Sequence, residues 1–495
     1  MAGLSRRAVV TAASAIALKP ARLLAASSVQ LTVERRALDV NGKPASVLAV
    51  RQPDGTPGVM LAPGQRFQLQ LHNTLDTPTI VHWHGQTPPP DQDGVADTGL
   101  VKPIGPGASQ AYDFVARSGT HWMHSHQGLQ EAQLLAAPLI VRDAQDVASG
   151  LPETVVLLHD FSFQDPQAIL ASLTGSGGMA AAPRPAMAMP GKGSVAGMST
   201  EGMSMPGMSM AAAGATKGAA AAPAPDLNDV DFDAYLANDR TLDDPQIIRV
   251  ERGGRVRLRL INGAAATAFW IDLGTLKGSV VAVDGDPVHP VPVRRFPMAQ
   301  AQRVDVLVQI PQAGGAFPIL AQREGDRQRT GVILATQRTS IHRISGIAER
   351  AAGAADLSLE YKLRAIDPLH PKQADITHRV TLDGSMMPYA WHINGRDWAN
   401  RAPLAVNSGK RVVLELVNTT PMAHPMHLHG HHFQVVTLNG VGLSGAMRDT
   451  VMVPGSGTVR IAFDTDNPGR WLFHCHNLFH MATGMITEVV YTDFK

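Results

Sequence analysis

The chain has 495 residues, a length that predicts about three domains at roughly 100–200 residues each. Hydrophobic residues make up 44% and charged residues 17%, and 43 basic side chains nearly balance 42 acidic ones, for a net charge of +1. This is the composition of an ordinary globular protein, and its near-neutral charge argues against a nucleic-acid partner and against an anionic membrane surface.

The N-terminus has the pattern of an export signal. Arg6 and Arg7 precede a short apolar run over residues 8–18, and small residues follow it. Paired arginines before a modest apolar core are typical of the twin-arginine pathway. A membrane anchor is the alternative, but the run is shorter than the about 20 residues that span a bilayer. We therefore expect residues 1–26 to be a signal peptide and the mature protein to be periplasmic, without stable membrane insertion.

One strand-like motif, Gly-x-Arg-(Phe/Val)-x-Leu-x-Leu-x-Asn, occurs three times, over residues 64–73, 253–262 and 409–418. Its glycine permits a turn, and the alternation that follows is the period of a half-buried strand. Many other short strand-like runs with Gly and Pro between them predict all-β sandwich or barrel domains. The predicted domains are residues 27–145, 146–345 and 346–495.

The positions nine and eleven residues beyond the motif's asparagine differ between the three copies. The outer copies carry histidine pairs there, and the middle copy carries apolar residues. The outer pairs are His82/His84 and His427/His429, and the middle residues are Ile271 and Leu273. The outer domains therefore have metal-binding residue types where the middle domain has core residue types.

A second kind of histidine pair closes each outer domain. His124/His126 and His474/His476 each begin five residues after a glycine. Because residues i and i+2 of a strand point the same way, each pair can aim two imidazoles at one point. A single such pair is more often an exposed or hydrogen-bonded one, but four pairs in matching register predict metal binding.

Residues 174–226 interrupt the globular pattern early in the second domain. They contain no aromatic residue, are rich in Gly, Ala, Ser and Pro, and hold eight methionines. Such a stretch cannot bury enough apolar surface to fold alone, so we predict a mobile insertion. Thioethers select Cu(I), which suggests copper binding, and a flexible linker is the alternative. The candidate Cu(I)-binding residues are Met203, Met205, Met208 and Met210.

Cys475 is the single cysteine of the chain, so no internal disulfide forms. It lies between His474 and His476, and on a strand it points to the opposite face. A thiolate, two imidazoles and a weak axial methionine make a blue-copper site, for which His424, His480 and Met485 are near in sequence. One copper on the Cys475 face would take single electrons, and a copper cluster on the other face would reduce O2 to water. The alternative, a small buried hydrophobe, is less favoured between two histidines.

Four motifs, in order and across nearly the whole chain after the signal, resemble the ligand motifs of the multicopper oxidase family. They are His82-Trp83-His84-Gly85, His124-Ser125-His126, His424-Pro425-Met426-His427-Leu428-His429, and His474-Cys475-His476 followed by His480 and Met485. The resemblance implies three cupredoxin-like Greek-key β-sandwich domains and four copper ions, with a trinuclear cluster between the first and third domains.

The resemblance also implies which residues hold each ion. The type 1 copper would take His424, Cys475, His480 and Met485, and the type 2 copper His82 and His427. One type 3 copper would take His84, His124 and His476, and the other His126, His429 and His474. We predict catalytic roles for Cys475, His474, His476 and Asp93.

Three positions bear on how this chain differs from its relatives. Where some family members carry an acid after the last type 1 histidine, this chain has Met481. Asp93 lies where the family has an acid near the cluster, and a turn residue is the alternative. Cuprous oxidases of the family bind substrate Cu(I) with an Asp and a Met before the first type 1 histidine, whereas this chain has Thr420 and Met422 there.

The sequence thus predicts a monomeric, O2-reducing oxidase similar to bacterial laccase-like and copper-resistance enzymes. In those enzymes a Met-rich segment is thought to gather Cu(I), which favours Cu(I) as electron donor and a role in copper tolerance. Phenolic or aromatic amine donors, as in laccases, are the alternative. A copper-binding protein without turnover is a hypothesis of another class. A copper nitrite reductase has two domains, and the three-copy motif speaks against it.

Overall fold

The computed structural model describes residues 28–176 and 227–494. In this part of the chain thirty-one strands form six sheets, and three short α-helices join them. The predicted all-β class is confirmed. The predicted signal peptide, residues 1–26, and the Met-rich residues Met203, Met205, Met208 and Met210 lie outside the described residues.

The first sheet pair spans residues 29–141. One sheet has the strand order β2-β1-β4-β6, and the facing sheet has the order β3-β8-β7-β5. Their strands are β1 Val29–Val40, β2 Lys43–Arg51, β3 Val59–Leu61, β4 Phe67–Asn73, β5 Val81–His84, β6 Ser109–Phe114, β7 Gly119–Ser125 and β8 Ala136–Val141. Alternate residues of both sheets meet in one apolar core around Phe67 and Trp83.

The second sheet pair spans residues 153–335. Its sheets have the orders β10-β9-β12-β17-β14-β15 and β11-β19-β18-β13-β16. The strands are β9 Glu153–Phe161, β10 Ala234–Ala237, β11 Ile247–Arg249, β12 Arg255–Asn262, β13 Phe269–Asp272, β14 Lys277–Val283, β15 Asp286–Val293, β16 Arg295–Met298, β17 Arg303–Gln309, β18 Ala316–Arg323 and β19 Arg329–Ala335. Helix α1, Ala144–Ser149, precedes β9, and helix α2, Pro166–Thr174, follows it.

The third sheet pair spans residues 376–491, in the orders β21-β20-β23-β29-β25-β26, with β27 also on β25, and β22-β31-β30-β24-β28. The strands are β20 Ile376–Met386, β21 Tyr389–Ile393, β22 Leu404–Val406, β23 Arg411–Asn418, β24 His424–Leu428, β25 Phe433–Leu438, β26 Val441–Gly442, β27 Met447–Arg448, β28 Thr450–Val453, β29 Thr458–Asp464, β30 Arg470–Cys475 and β31 Ile486–Tyr491. Helix α3, Leu478–Ala482, joins β30 to β31.

The repeated motif occupies the same place in each sheet pair. Its strands β4, β12 and β23 each pair parallel with the first strand of the pair and antiparallel with a later one. The asparagine side chain at each strand end bonds backbone carbonyls a few residues on, as Asn73 does with Thr77. In the middle pair, Ile271 and Leu273 are buried in the core, as the sequence predicts. The predicted domain limits near 145 and 345 stay predictions.

A search of the described residues finds no helix long and apolar enough to cross a membrane.

Candidate metal centre

Strand pairing and one short helix bring Cys475 beside two histidines. The β24–β30 ladder sets Cys475 opposite Met426, close to His424 at the start of β24. Asn477 caps helix α3 by accepting hydrogen bonds from the first backbone N–H groups, and this turn carries His480 back toward the sulfur.

These three residues point ligand atoms at a common centre. Sγ of Cys475 lies 3.8 Å from Nδ1 of His424 and 3.7 Å from Nδ1 of His480, and the two Nδ1 atoms are 3.1 Å apart. All three side chains are buried. Met485 is also buried, and its carbonyl accepts a hydrogen bond from the Cys475 N–H, which holds it beside the cysteine. We call this the Cys475 group.

The outer edges of the two histidines are covered by protein groups. Nε2 of His424 shares a 2.8 Å hydrogen bond with the Thr420 hydroxyl. Nε2 of His480 lies 2.9 Å from Oδ2 of Asp229, which also accepts from Asn477 Nδ2. The Trp391 ring stacks on His480, with centroids 4.1 Å apart. These contacts fix both rings with Nδ1 facing the sulfur.

Burial raises the pKa of the Cys475 thiol, because a thiolate without a counter-ion is poorly solvated inside the protein. The pKa of His424 is lowered by burial and by the nearby His480, so its imidazole is neutral. A cation bound at this point would reverse the first effect and accept the neutral nitrogens as ligands.

Eight further histidines converge between the first and third sheet pairs. The β5–β7 ladder sets His82 opposite His124, and the β24–β30 ladder sets His427 opposite His474. The two ladders occupy equivalent places in their sheet pairs. Within this cluster, the ring centroids of His84 and His427 are 3.7 Å apart and those of His82 and His429 are 3.9 Å apart.

Three groups of three histidines in this cluster place their ligand atoms within 4.8 Å of one another, and a fourth group joins His82 and His429 to Asp93. Each all-histidine group takes members from both the first and the third sheet pair. These groups are His84/His124/His476, His126/His429/His474 and His82/His84/His427. The structure thus brings together all ten predicted histidines and Cys475. The assignment of each group to one ion stays a prediction.

In most of these rings one nitrogen bonds to a protein acceptor, and the other nitrogen is bare, with no hydrogen-bond partner. Nδ1 of His82 donates to the Asp93 carbonyl at 2.8 Å, Nδ1 of His427 to the Asp449 carbonyl at 2.9 Å, and Nδ1 of His474 to the Cys475 carbonyl at 2.9 Å. Six buried nitrogens of the cluster's rings have no hydrogen-bond partner among the described residues. They are Nε2 of His82, His124, His126, His427 and His476, and Nδ1 of His84.

The electrostatics of the histidine cluster favour neutral rings. Burial and the neighbouring imidazoles hold the pKa of His84 and of His429 well below the usual value, and that of His476 falls to about 3 for the same reason. Neutral imidazole is the form that binds metal ions. Bare nitrogens on buried neutral rings, with a thiol nearby, are the donor set that suits copper.

Asp93 lies inside the cluster and ends a 3-10 helix, Pro90–Gln92. Its Oδ2 accepts a 2.8 Å hydrogen bond from Nδ1 of His429, while its carbonyl holds His82. Oδ1 has no hydrogen-bond partner among the described residues, and the side chain is buried. The acid is therefore placed against ligand candidates from both sheet pairs.

Glu131 is an acid that the sequence analysis missed. It lies on a 3-10 helix, Gln130–Gln133, five residues after His126. Its Oε2 is 2.7 Å from Nδ1 of His124, and its Oε1 is 3.7 Å from Nδ1 of His476. Burial and the charge of Asp160 raise its pKa well above the usual value. Glu131 supplies an acid to the cluster in a chain that has Met481 at the family's acidic position.

Asp449 also contacts the cluster directly. Its Oδ1 accepts a 3.0 Å hydrogen bond from Nε2 of His84, which leaves Nδ1 of that ring bare. The buried Arg303 guanidinium forms a bidentate pair with the same carboxylate. This pair holds the pKa of Asp449 far below its usual range, so the carboxylate stays ionised.

Asp229 was also missed, and no local pattern marks it. It contacts His480 from 251 positions away in the chain, in the segment that follows the Met-rich residues. Met422, a predicted Cu(I)-binding residue, is buried, and its carbonyl accepts a hydrogen bond from Asn418. His431 bonds the Tyr491 hydroxyl, and His432 bonds Asp286, so neither joins a metal group.

Three sequence models of the multicopper oxidase family match residues 32–146, 153–342 and 368–495. The chain is also 32% identical over 482 residues to multicopper oxidase MmcO of Mycobacterium tuberculosis, which covers 93% of this chain and 86% of that protein. The chain belongs to the multicopper oxidase family. This oxidase is therefore an oxidoreductase that uses O2 as acceptor, and copper is its metal.

Other relatives of this oxidase fall in two groups by name. Copper resistance protein A of Escherichia coli is 27% identical and covers 97% of this chain and 94% of that protein. Laccase-4 of Thanatephorus cucumeris is 26% identical and covers 85% and 81%. Among solved structures, the laccase from Botrytis aclada superposes with a TM-score of 0.71 at 21% identity, covering 94% and 87%. That likeness confirms the predicted cupredoxin-like fold.

Proposed function

We propose that this multicopper oxidase oxidises Cu(I) one electron at a time at the Cys475 group and reduces O2 to water at the histidine cluster. The Cys475 group, together with Met485, would hold a type 1 copper. The histidine cluster would hold one type 2 and two type 3 coppers, for four ions in all. The role that follows is copper tolerance.

The observation that carries this proposal is the set of buried, bare ligand atoms. Leaving a buried polar atom without a partner costs about 1–3 kcal/mol. The cluster contains six such nitrogens among the described residues. A fold that keeps them, while satisfying the opposite nitrogen of most of the same rings, is built to bind ions at those atoms.

The protein groups determine where electrons and protons can go. Bound copper supplies the one-electron redox chemistry that links donor to O2. Cys475 and its two flanking histidines are consecutive on the chain, so the backbone connects the two sites directly. His474 Nδ1 also donates to the Cys475 carbonyl. Burial raises the pKa of Glu131, so this acid can hold a proton beside His124. Asp93 accepts a hydrogen bond from His429, and burial of all these groups excludes bulk water.

Cu(I) is favoured as donor by the eight methionines of residues 174–226, because thioethers select Cu(I). The similarity to copper resistance protein A supports the same donor. The similarity to Laccase-4 supports the second candidate, oxidation of phenols or aromatic amines, and Thr420 in place of an acid is in its favour.

We further propose export of the folded protein by the twin-arginine pathway to the periplasm, on the strength of Arg6, Arg7 and the apolar run behind them.

Metal content and an absorption spectrum test the copper assignment. We expect four copper ions per chain and a strong blue band from the thiolate ligand. Cys475→Ser should lose the blue band and one ion while it keeps the other three, because it leaves the histidine cluster untouched. A single bound copper in the parent protein would contradict the trinuclear site. Fully loaded protein that takes up no O2 with either donor would instead support a binding protein without turnover.

A further inference from the structure

A cavity of about 350 Å³ lies between the first and second sheet pairs, within the size range of small-molecule sites. Two strands form its main walls with alternate residues. Strand β8 contributes Ala136, Pro138 and Ile140, and strand β9 contributes Val155, Leu157 and His159. The walls are apolar apart from His159. None of the lining residues belongs to a metal group.

His159 is the polar group on these walls. Its side chain is 97% buried, and neither ring nitrogen has a hydrogen-bond partner among the described residues. Burial lowers the pKa of His159 to about 4, so the ring is neutral at pH 7. A neutral imidazole has one N–H donor and one acceptor. The cavity therefore contains an unmet donor and an unmet acceptor on the apolar walls formed by β8 and β9.

The three charged side chains that line the cavity, Arg36, Arg51 and Asp239, all have ion-pair partners. Arg36, from β1, forms a 2.7 Å ion pair with Asp239, from the second sheet pair, and Arg51 lies 4.0 Å from Glu34. Asn238 is fully engaged with Val155 and Leu157 backbone groups and with Gln246. A charged ligand would therefore lose its hydration without gaining a counter-ion. A rigid ring would fill the apolar space with little loss of conformational freedom.

We propose that this cavity binds a small uncharged aromatic alcohol, with its ring between β8 and β9 and its hydroxyl on His159. The hydroxyl is itself one donor and an acceptor, which matches a neutral imidazole. The site is separate from the copper groups and does not rest on the proposed function. Its ligand is held, not oxidised.

Benzyl alcohol is a suitable probe, because its hydroxyl is not on the ring and it is therefore no laccase-type phenol. Titration calorimetry on the copper-loaded full chain should show one saturable site. Toluene, which lacks the hydroxyl, should bind about tenfold more weakly. Benzoate should not bind, because its charge has no counter-ion in the cavity.

Two variants test the contributions of the apolar walls and of His159 to binding separately. His159→Phe should remove the preference for benzyl alcohol over toluene while it keeps the apolar site. Val155→Phe should fill the cavity and abolish binding of both. Val147→Phe, the same change at an exposed position of α1 outside the cavity, should leave both affinities unchanged.

Copper content and circular dichroism establish that each variant is folded. The proposal is overturned if the parent protein shows no saturable binding up to concentrations on the order of 10 mM, a limit that corresponds to an affinity too weak to be specific. It is equally overturned if the preference for the alcohol survives in His159→Phe, or if binding survives in Val155→Phe. Turnover with Cu(I) should be unaffected in all three variants. A loss of alcohol binding can therefore be distinguished from an error in the copper assignment.

Discussion

An imidazole ring has two nitrogens, and the clustered histidines of this protein use them differently. The ring nitrogen turned outward meets a carbonyl or carboxylate, as in His82 with the Asp93 carbonyl and His429 with the Asp93 carboxylate. That bond fixes the tautomer, and the inward nitrogen is left as a lone-pair donor. The acceptors matter as much as the histidines, because they decide which nitrogen is available.

Glu131 is the residue on which we base one prediction. Glu131→Gln keeps the size of the side chain and an acceptor for His124 but removes the carboxylate that can carry a proton. We expect full copper content and a roughly 10–100-fold lower rate of O2 consumption, in line with changes beside metal ligands. The pH profile of turnover should also change.

Glu415→Gln is the matched control. Glu415 lies on β23, away from the clusters, and pairs with the exposed Arg460 and Arg379. Oxygen-electrode rates and metal analysis on both variants decide the question. A Glu131→Gln protein with parental turnover and full copper would rule out a catalytic role for this acid.

At the scale of elements, specific contacts hold the chain on either side of the Met-rich insertion. Helix α2 ends at Thr174 and is capped by Gly175 in a left-handed conformation. After the insertion, Asn228 donates to the Glu324 carbonyl and Asp231 pairs with Arg323. The predicted insertion over 174–226 overlaps this helix at Thr174, and its other bound stays a prediction.

Replacing residues 177–226 with a short Gly/Ser linker tests what the insertion does. Cu(I) turnover should fall, because the thioethers that gather the substrate are gone, while turnover of a phenol should persist. A second version with all eight methionines changed to leucine keeps the length of the segment and should show the same selective loss. If the leucine version oxidises Cu(I) at the parental rate, the thioethers are not the substrate collector.

The elements also show what the sequence could and could not foretell. Alternation with period two identified β4, β12 and β23, and it set His474 and Cys475 on opposite faces, because both follow from local backbone geometry. Asp229 escaped notice because its role arises from a contact between segments that are distant in the chain. Glu131 is close to His124 in sequence, but no ligand spacing marks it, and its role follows from the turn of its 3-10 helix. No spacing rule connects Asp229 to His480, which are joined only when the second and third sheet pairs meet.

At the scale of the whole molecule, one guanidinium connects all three sheet pairs. Arg303 begins β17 of the second pair. Its Nε donates to the Thr120 carbonyl of the first pair at 3.2 Å, and its Nη atoms bond Asp449 in the third. Asp449 in turn holds His84. The middle sheet pair has no predicted copper ligand, yet it supports the cluster through this chain of contacts.

Arg303→Met should therefore lower the stability of the folded protein. Breaking a buried ion pair by removing one partner destabilises by about 3–5 kcal/mol, because Asp449 and Asp284 are left as buried charges. Urea unfolding of the copper-free protein should show a lower midpoint, and copper content should drop. Arg343→Met removes an exposed arginine paired with Asp243 and should change neither quantity. Equal midpoints for the two variants would show that the Arg303 network does not stabilise the assembly.

The division of ligands between the two ends of the chain has a consequence for biogenesis. His84 and His124 share a group with His476, which lies 392 residues after His84 in the chain. A growing polypeptide cannot complete this group until His476 has been synthesised, however well its earlier portions have folded. Chains terminated before His476 should therefore lack the complete cluster, and so the ability to reduce oxygen.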